Sequence, residues 1–301
     1  MKVIVIGNCT VDLSFSVPRF PRAGETLLAD GKFVDLGGKG ANQAVVASRF
    51  GAATIFAAPI GRDVEGEWAC GKLEAEGLAP DTLLRVDAPT DQSILYVAPG
   101  GENCIVSSHQ AAAVAAPDWA TGILDRCAAP GDMLLMQGNL RLETTRAALE
   151  AARGLGVTTI LNPAPIQYRY GSLLPWTDIV ILNEIEATEI GERGDPVASG
   201  QAICAGGVPH SIVTLGREGA VLIGGGGLAR LPAPFVEAVD TVGAGDTLCG
   251  AFAAALAGGF EIAMALRIAI EAASLAVTRK GTQSSFPSAA EAAGILARHG
   301  A

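Results

Sequence analysis

Histidine is almost missing from these 301 residues: His109, His210 and His299 stand far apart, so the paired ligands of a metalloprotease or a nucleic-acid deaminase are not there. The six cysteines, Cys9, Cys70, Cys104, Cys127, Cys204 and Cys249, are equally scattered and form no Cys-x-x-Cys pair. That spacing argues against a zinc site or a disulfide framework and for reduced, mostly buried thiols. Positive charge is scarce as well. With 21 Lys and Arg against 31 Asp and Glu, the formal net charge of -10 excludes a surface built mainly for nucleic-acid phosphates or anionic lipid. It does not exclude a small anion held by a few backbone amides. Aromatic residues make up only 5%, too few for an aromatic recognition surface. The apolar carboxyl-terminal segments are broken by Glu261, Arg267 and Glu271, so no membrane span is expected. The start, MKVIVIGNCTVDLSF, alternates like a first strand and does not read as a signal peptide, which makes a cytoplasmic protein the expectation.

What is abundant is apolar and small. Half of the chain is hydrophobic and 38 residues are glycine, enough for a substantial core with tightly approached helices and glycine-lined loops. Strand-like runs at 3–7, 54–61 and in DMLLMQG, TTILNPAP, DIVILNE and HSIVTLG alternate with helical patterns at 41–50, 142–153 and 196–205 and through GEWACGKLEAEG. This is the rhythm of a mostly parallel sheet covered by helices. Two intervals, 10–36 and 90–109, read instead as short strands joined by turns, with Pro-Gly-Gly at 99–101 as a hairpin tip. They predict a small separate sheet over a pocket. GGGG at 224–227 lacks the helix and the Lys-Ser or Lys-Thr pair of a phosphate loop, and reads as a hairpin turn.

In an open parallel sheet, residues just past the strand carboxyl ends share one crevice. By that rule Asn162, Asn183, Glu186, Thr214 and Gly216 can face Asp12 and Asp246. In DTVGAGDTLCGAF, residues 240–252, Gly243, Ala244 and Gly245 would open a helix whose exposed N–H groups favour an anion, such as a transferring phosphoryl group. Asp246 then either caps that helix or stands beside the reacting oxygen and takes a hydroxyl proton late in phosphoryl transfer.

GGKGANQA at 37–44, NPAP at 162–165, NEIE at 183–186, TLGREG at 214–219, DTVGAGDTLCGAF at 240–252 and VTRKGTQSS at 277–285 follow the order of the PfkB carbohydrate kinases. The chain resembles that family over nearly its whole length, and its ribokinase-like members most. The resemblance implies one PfkB kinase domain over 1–301, with a large α/β body and a small β lid, that moves the γ-phosphate of ATP to a primary hydroxyl of a sugar. It makes Asp246 the catalytic base and Gly243, Ala244 and Gly245 the anion hole. It places Thr10, Asp12, Gly38, Lys39, Asn42 and Asn139 against the sugar, and Thr214 and Gly216 in the nucleotide pocket. Asn183 and Glu186 correspond to the element that organises water-bound Mg²⁺. Asp240, Val242, Ala276, Arg279, Gly281 and Ser285 match a K⁺ loop in which several contributions are main-chain carbonyls.

Departures from the family pattern bear on the substrate. Ribokinases usually present Asn-x-Asp after the first strand, where this chain has Thr10 and Asp12, and a Glu after Met-Gln, where this chain has Asn139. D-ribose leads the candidates, with nucleoside or ketohexose kinase as the enzymatic alternative and a catalytically silent sugar sensor as the other class. The edge of a small lid further suggests a homodimer in which lid strands cover each other.

Overall fold

The structure, a computed structural model, describes residues 1–99, 102–225 and 227–300. The chain opens with β1 (Lys2–Ile6), β2 (Thr10–Ser16), β3 (Gly31–Gly37), α1 (Lys39–Arg49), β4 (Ala53–Ala57) and β5 (Pro59–Gly61). Then come α2 (Val64–Ala75), β6 (Leu84–Val86), β7 (Gln92–Val97), β8 (Asn103–Ser107), α3 (Pro117–Cys127), β9 (Met133–Gln137) and α4 (Leu142–Gly154). The middle holds β10 (Thr158–Asn162), β11 (Ile179–Asn183), α5 (Glu184–Gly191), α6 (Pro196–Ala205) and β12 (His210–Thr214). The chain closes with β13 (Ala220–Gly224), β14 (Gly227–Leu231), α7 (Ala244–Ala257), α8 (Ile262–Ala276) and α9 (Ala289–Arg298).

Eight strands form one sheet in the order β14-β13-β12-β11-β10-β9-β1-β4. Its pairings from β4 through β12 are parallel, and β13 and β14 add an antiparallel edge. Burial on both faces explains the unbroken apolar strands, because successive side chains serve opposite layers. Val3, Val5 and Leu135 join α1, α2, α7, α8 and α9 in one core. Ile4, Ile6, Leu134 and Met136 join α3 and α4 on the other face, where Val180, Leu182 and Val213 pack with α5 and α6. This is the open α/β architecture that the alternating pattern predicts.

A second, four-stranded sheet has the order β3-β2-β7-β8. All five residues of β8 are exposed, and β3 exposes Phe33 and Val34. The expected hairpin joins β7 to β8 antiparallel, and its Gly100 and Gly101 lie outside the described residues. Gly226 does too, while β13 and β14 on either side of it pair as an antiparallel hairpin.

Two expectations are corrected. The run 54–61 is not one strand: it divides at Ala58 into β4 of the large sheet and β5, which pairs with β6. An apolar run shows no break where the chain changes sheets, so periodicity cannot mark it. The thiols are less uniformly buried than expected: all are free, Cys9, Cys70 and Cys249 are buried, Cys127 and Cys204 are half-buried, and Cys104 is exposed on β8. Among the described residues no helix is long and apolar enough to cross a membrane.

Candidate active site

The site grows from the junction of α1 and α7. Gly38, at φ +89°, is the N-cap of α1, and a Cβ there would stand 2.9 Å from the carbonyl oxygen of Asn8. Only a glycine fits so close to the turn after β1. Lys39, Asn42 and Gln43 then fall on one face of the helix by their i, i+3, i+4 spacing. All three reach the buried carboxylate of Asp246. Asn42 Nδ2 donates to Oδ2 at 2.9 Å, Gln43 Nε2 donates to Oδ1 at 3.0 Å, and Lys39 Nζ lies 3.8 Å from Oδ1. The Asp246 charge holds the Lys39 ammonium above the ordinary lysine range. One turn along α7, Gly250 permits this meeting: a Cβ there would lie 2.5 Å from Gln43 O and 2.7 Å from Val46 Cβ.

Gly243 starts α7 at φ +80°, and a Cβ on it would press on Phe286 at 2.7 Å. Among the described residues no side chain caps the helix; the N–H of Ala244 donates to Thr241 O at 3.3 Å, and those of Gly245 and Asp246 have no acceptor. The carboxylate oxygens of Asp246 accept from the amides of α1 instead, so the capping alternative falls. Gly245 is exposed, and a Cβ there would meet no protein atom within 4 Å. A buried carboxylate thus stands under an open helix N-terminus, the surroundings that proton acceptance beside a negatively charged group calls for.

Behind Asp246 runs a chain of amides. Gln137 and Asn162 are register partners on β9 and β10. Gln137 Nε2 donates to Gln43 Oε1 at 2.8 Å, Gln43 Nε2 also lies 3.2 Å from Asn162 Oδ1, and Asn162 Nδ2 donates to Ile181 O at 3.0 Å. Gln283 Nε2 reaches Asn42 Oδ1 at 3.3 Å. Gln43, Gln137 and Gln283 were not anticipated from the sequence, although Gln43 lies four residues after Lys39 on the same helical face. Asn139, just past β9, leaves Oδ1 buried with no hydrogen-bond partner among the described residues, while its main-chain oxygen is 3.1 Å from His109 Nε2.

Asp12 lies on β2 rather than in this junction. Thr10 Oγ1 donates to its Oδ1 at 2.7 Å. Burial pushes the Asp12 carboxyl up to about 6, opposed by hydrogen bonds from Thr10 and Ser93. The Thr10 hydroxyl is therefore engaged with Asp12.

The other side of the crevice is more local. Asn183 and Thr214 are register partners at the ends of β11 and β12. Asn183 is the N-cap of α5: its Oδ1 accepts from Glu186 N at 2.8 Å and Glu186 Oε2 accepts from Asn183 N at 2.9 Å, a reciprocal capping box. Burial raises the Glu186 carboxyl above the usual range. Thr214 Oγ1 donates to Leu182 O at 3.3 Å, and Gly216 follows at φ +52°. Among the described residues no three His, Cys, Asp or Glu side chains gather around a metal position. A single carboxylate fits Mg²⁺ that takes its other oxygens from water and phosphate.

Leading into α7, Asp240 ties two segments together, its carboxylate accepting from Val242 N and Gly281 N, each at 3.0 Å. Ala276 O accepts from Arg279 N at 3.0 Å, while the Arg279 side chain pairs with Glu291. The Ser285 hydroxyl donates to Thr282 O at 2.7 Å. Carboxylate and carbonyl oxygens predominate here, a donor set suited in kind to an alkali cation, immediately before Gly243.

The pfkB family carbohydrate kinase model matches residues 1–289. The ribokinase of Haemophilus influenzae is 35% identical over 299 residues, covering 95% of each chain. The deoxyribokinase of Salmonella typhi is 31% identical, covering 96% of each. The crystal structure of the ribokinase of Thermotoga maritima superposes with a TM-score of 0.90 at 30% identity and 99% coverage of both. With these likenesses running over the whole fold and site, the chain belongs to the pfkB family and is an ATP-dependent carbohydrate kinase.

Proposed function

We propose that this kinase phosphorylates a primary hydroxyl of a small polyhydroxylated sugar, with D-ribose the leading candidate and Asp246 the general base. The observation that carries the reading is the buried Asp246 carboxylate, held by Asn42 and Gln43 beneath the open start of α7. The sugar oxygen forms a bond to the γ-phosphorus as the bond to the ADP oxygen breaks, and its proton passes to Asp246 late in the transfer. The N–H groups of Gly243, Ala244 and Gly245 oppose the charge that grows on the phosphoryl oxygens. Lys39, 3.8 Å from Asp246 Oδ1, would add positive charge beside the base. Asp12, Gly38, Lys39, Asn42 and Asn139 hold the sugar, and Thr10 acts through Asp12. Thr214 and Gly216 border the nucleotide.

Asn183 and Glu186 would hold Mg²⁺ through water, which supplies charge neutralisation at the phosphates. Asp240 and Ser285, with the main chain of Val242, Ala276, Arg279 and Gly281, would hold K⁺ and so keep the turn before Gly243 in shape. The small sheet of β2, β3, β7 and β8 is read as a lid over the sugar. Exposed Phe33 and Val34 on β3 and Ile105 and Val106 on β8 suit a homodimer that covers lid strands with lid strands. We place the enzyme in the cytoplasm, with neither nucleic acid nor membrane as partner.

A deoxyribokinase relative, the Thr10 hydroxyl engaged with Asp12, and the unpartnered Asn139 Oδ1 favour a sugar whose hydroxyl pattern differs from ribose as a second reading. A site with a polar group left unpaired by the wrong isomer discriminates strongly. Initial rates of phosphate transfer from ATP across pentoses, deoxypentoses, ketohexoses, polyols and nucleosides, with product NMR, test both. A highest kcat/KM for D-ribose supports the first. Preference for a deoxypentose or ketohexose supports the second, and no transfer to any sugar defeats the proposal. Replacing K⁺ by tetramethylammonium at constant ionic strength, and light scattering over a concentration series, test the cation and the dimer.

A further inference from the structure

We infer that Gln43 is a positioning residue for Asp246, its amide aimed by Gln137 and Asn162 so that the carboxylate is held in a single orientation. The inference rests on Asp246 being the base. Gln43 is fully buried and touches no solvent from which it could draw other partners.

Its direction follows from two anchors that do not depend on each other. Asn162 must turn Nδ2 toward Ile181 O, a carbonyl that can only accept, and so presents Oδ1 to Gln43. The Asp246 carboxylate likewise presents Oδ1 to Gln43. A reversed Gln43 amide would set its oxygen against two acceptors, at 3.0 Å and 3.2 Å. With Nε2 directed at both, Gln43 Oε1 faces Gln137, which answers with Nε2 at 2.8 Å. The sequence of amides ends on Gln137 Oε1, buried with no partner among the described residues. An unpaired buried acceptor is destabilising, a cost that a network serving the fold alone would not carry. The amides therefore serve something other than stability. Together with Asn42 on Oδ2, Gln43 on Oδ1 prevents the carboxylate from turning about its own bond.

The test measures Gln43→Leu, the double variant Gln43→Leu/Gln137→Leu and Asp246→Asn, each by kcat, by KM for ATP and for the best sugar, and by thermal unfolding. In Gln43→Leu, kcat should fall on the order of 10²-fold, as displaced catalytic groups do, while both KM values stay within about threefold. It should also unfold at lower temperature, because Asn162 Oδ1 loses its donor and Gln137 Nε2 keeps only the longer bond to Leu135 O. The double variant relieves Gln137 and leaves Asn162 Oδ1 without its donor, so it should recover part of that stability and none of the rate, which separates positioning from folding. A folded double variant with kcat within about threefold of the parent overturns the inference if Asp246→Asn is inactive. If Asp246→Asn itself turns over normally, the base assignment fails and takes this inference with it.

Discussion

The two sides of the crevice hold their carboxylates by opposite means. Asp246 on α7 is buried and secured by residues around two hundred positions away, through a helix contact that Gly250 makes possible. Glu186, at the start of α5, is secured by Asn183 three residues before it, in a capping box that the helix would form in any protein. One side is set by tertiary packing and the other by local chain geometry. With Asp246 proposed as the base, position is demanded most where the proton would move, while the side proposed for magnesium and phosphate can rely on water and the ligand to complete it.

The largest effect should come from Asp246→Asn. It keeps the volume and removes the proposed proton acceptor, so kcat should fall about 10³-fold with ATP affinity nearly unchanged. Turnover and calorimetric ATP binding measured on the same preparation check this. A parallel loss of nucleotide affinity would show that the two sides are not separable. Gly250→Ala is the next strongest. Its methyl would meet the main chain of α1, which cannot yield as a flexible side-chain end does, and over-packing of this kind costs about 1–3 kcal/mol. As α7 shifts, Asp246 leaves Asn42 and Gln43, and kcat should drop by up to about 10²-fold with KM for ATP retained. A variant that unfolds at lower temperature but keeps parental kcat would break the link between helix contact and catalysis.

The same contrast decides what was legible in the sequence. Strands with both faces buried announce themselves as apolar runs, so the large sheet and its alternating helices could be read without coordinates. GAGD is a local device whose glycines and acid imply a helix start, and the order of the remaining motifs pointed to the same family. Gln43 was not legible: a buried glutamine in an alanine-rich helix has no local signature, and its role depends on Gln137 and Asn162, which come from two other strands. Gly250 was likewise one small residue among many in α7. The division of 54–61 at Ala58 leaves no mark in the burial pattern, since Phe56 through Gly61 are all buried, and its one local sign is Pro59, which has no N–H to donate to a ladder.

Asp12 sharpens the comparison with the smallest effect. It is a carboxylate largely withdrawn from water like Asp246, but its hydrogen-bond donors are the hydroxyls of Thr10 and Ser93, with no amide pair and no cation among them. Burial therefore prevails and its carboxyl rises from 3.8 to about 6. Because the folded value lies above the unfolded one, the folded chain binds the proton more tightly. The associated stability is complete below about pH 4 and is lost as pH rises through about 6. Asp12→Asn has no such titration, so its melting temperature relative to the parent should rise by a few degrees between pH 4 and pH 7. Sugar hydroxyls that donate to the ionised carboxylate should reverse the trend for binding, making parental sugar affinity stronger as pH passes 6 and leaving the variant weak and flat. Melting curves and sugar titrations over that range read both. Parallel melting trends in the two proteins would mean that Asp12 is already hydrated in the absence of sugar, and that the small sheet shields it far less than the α1–α7 junction shields Asp246.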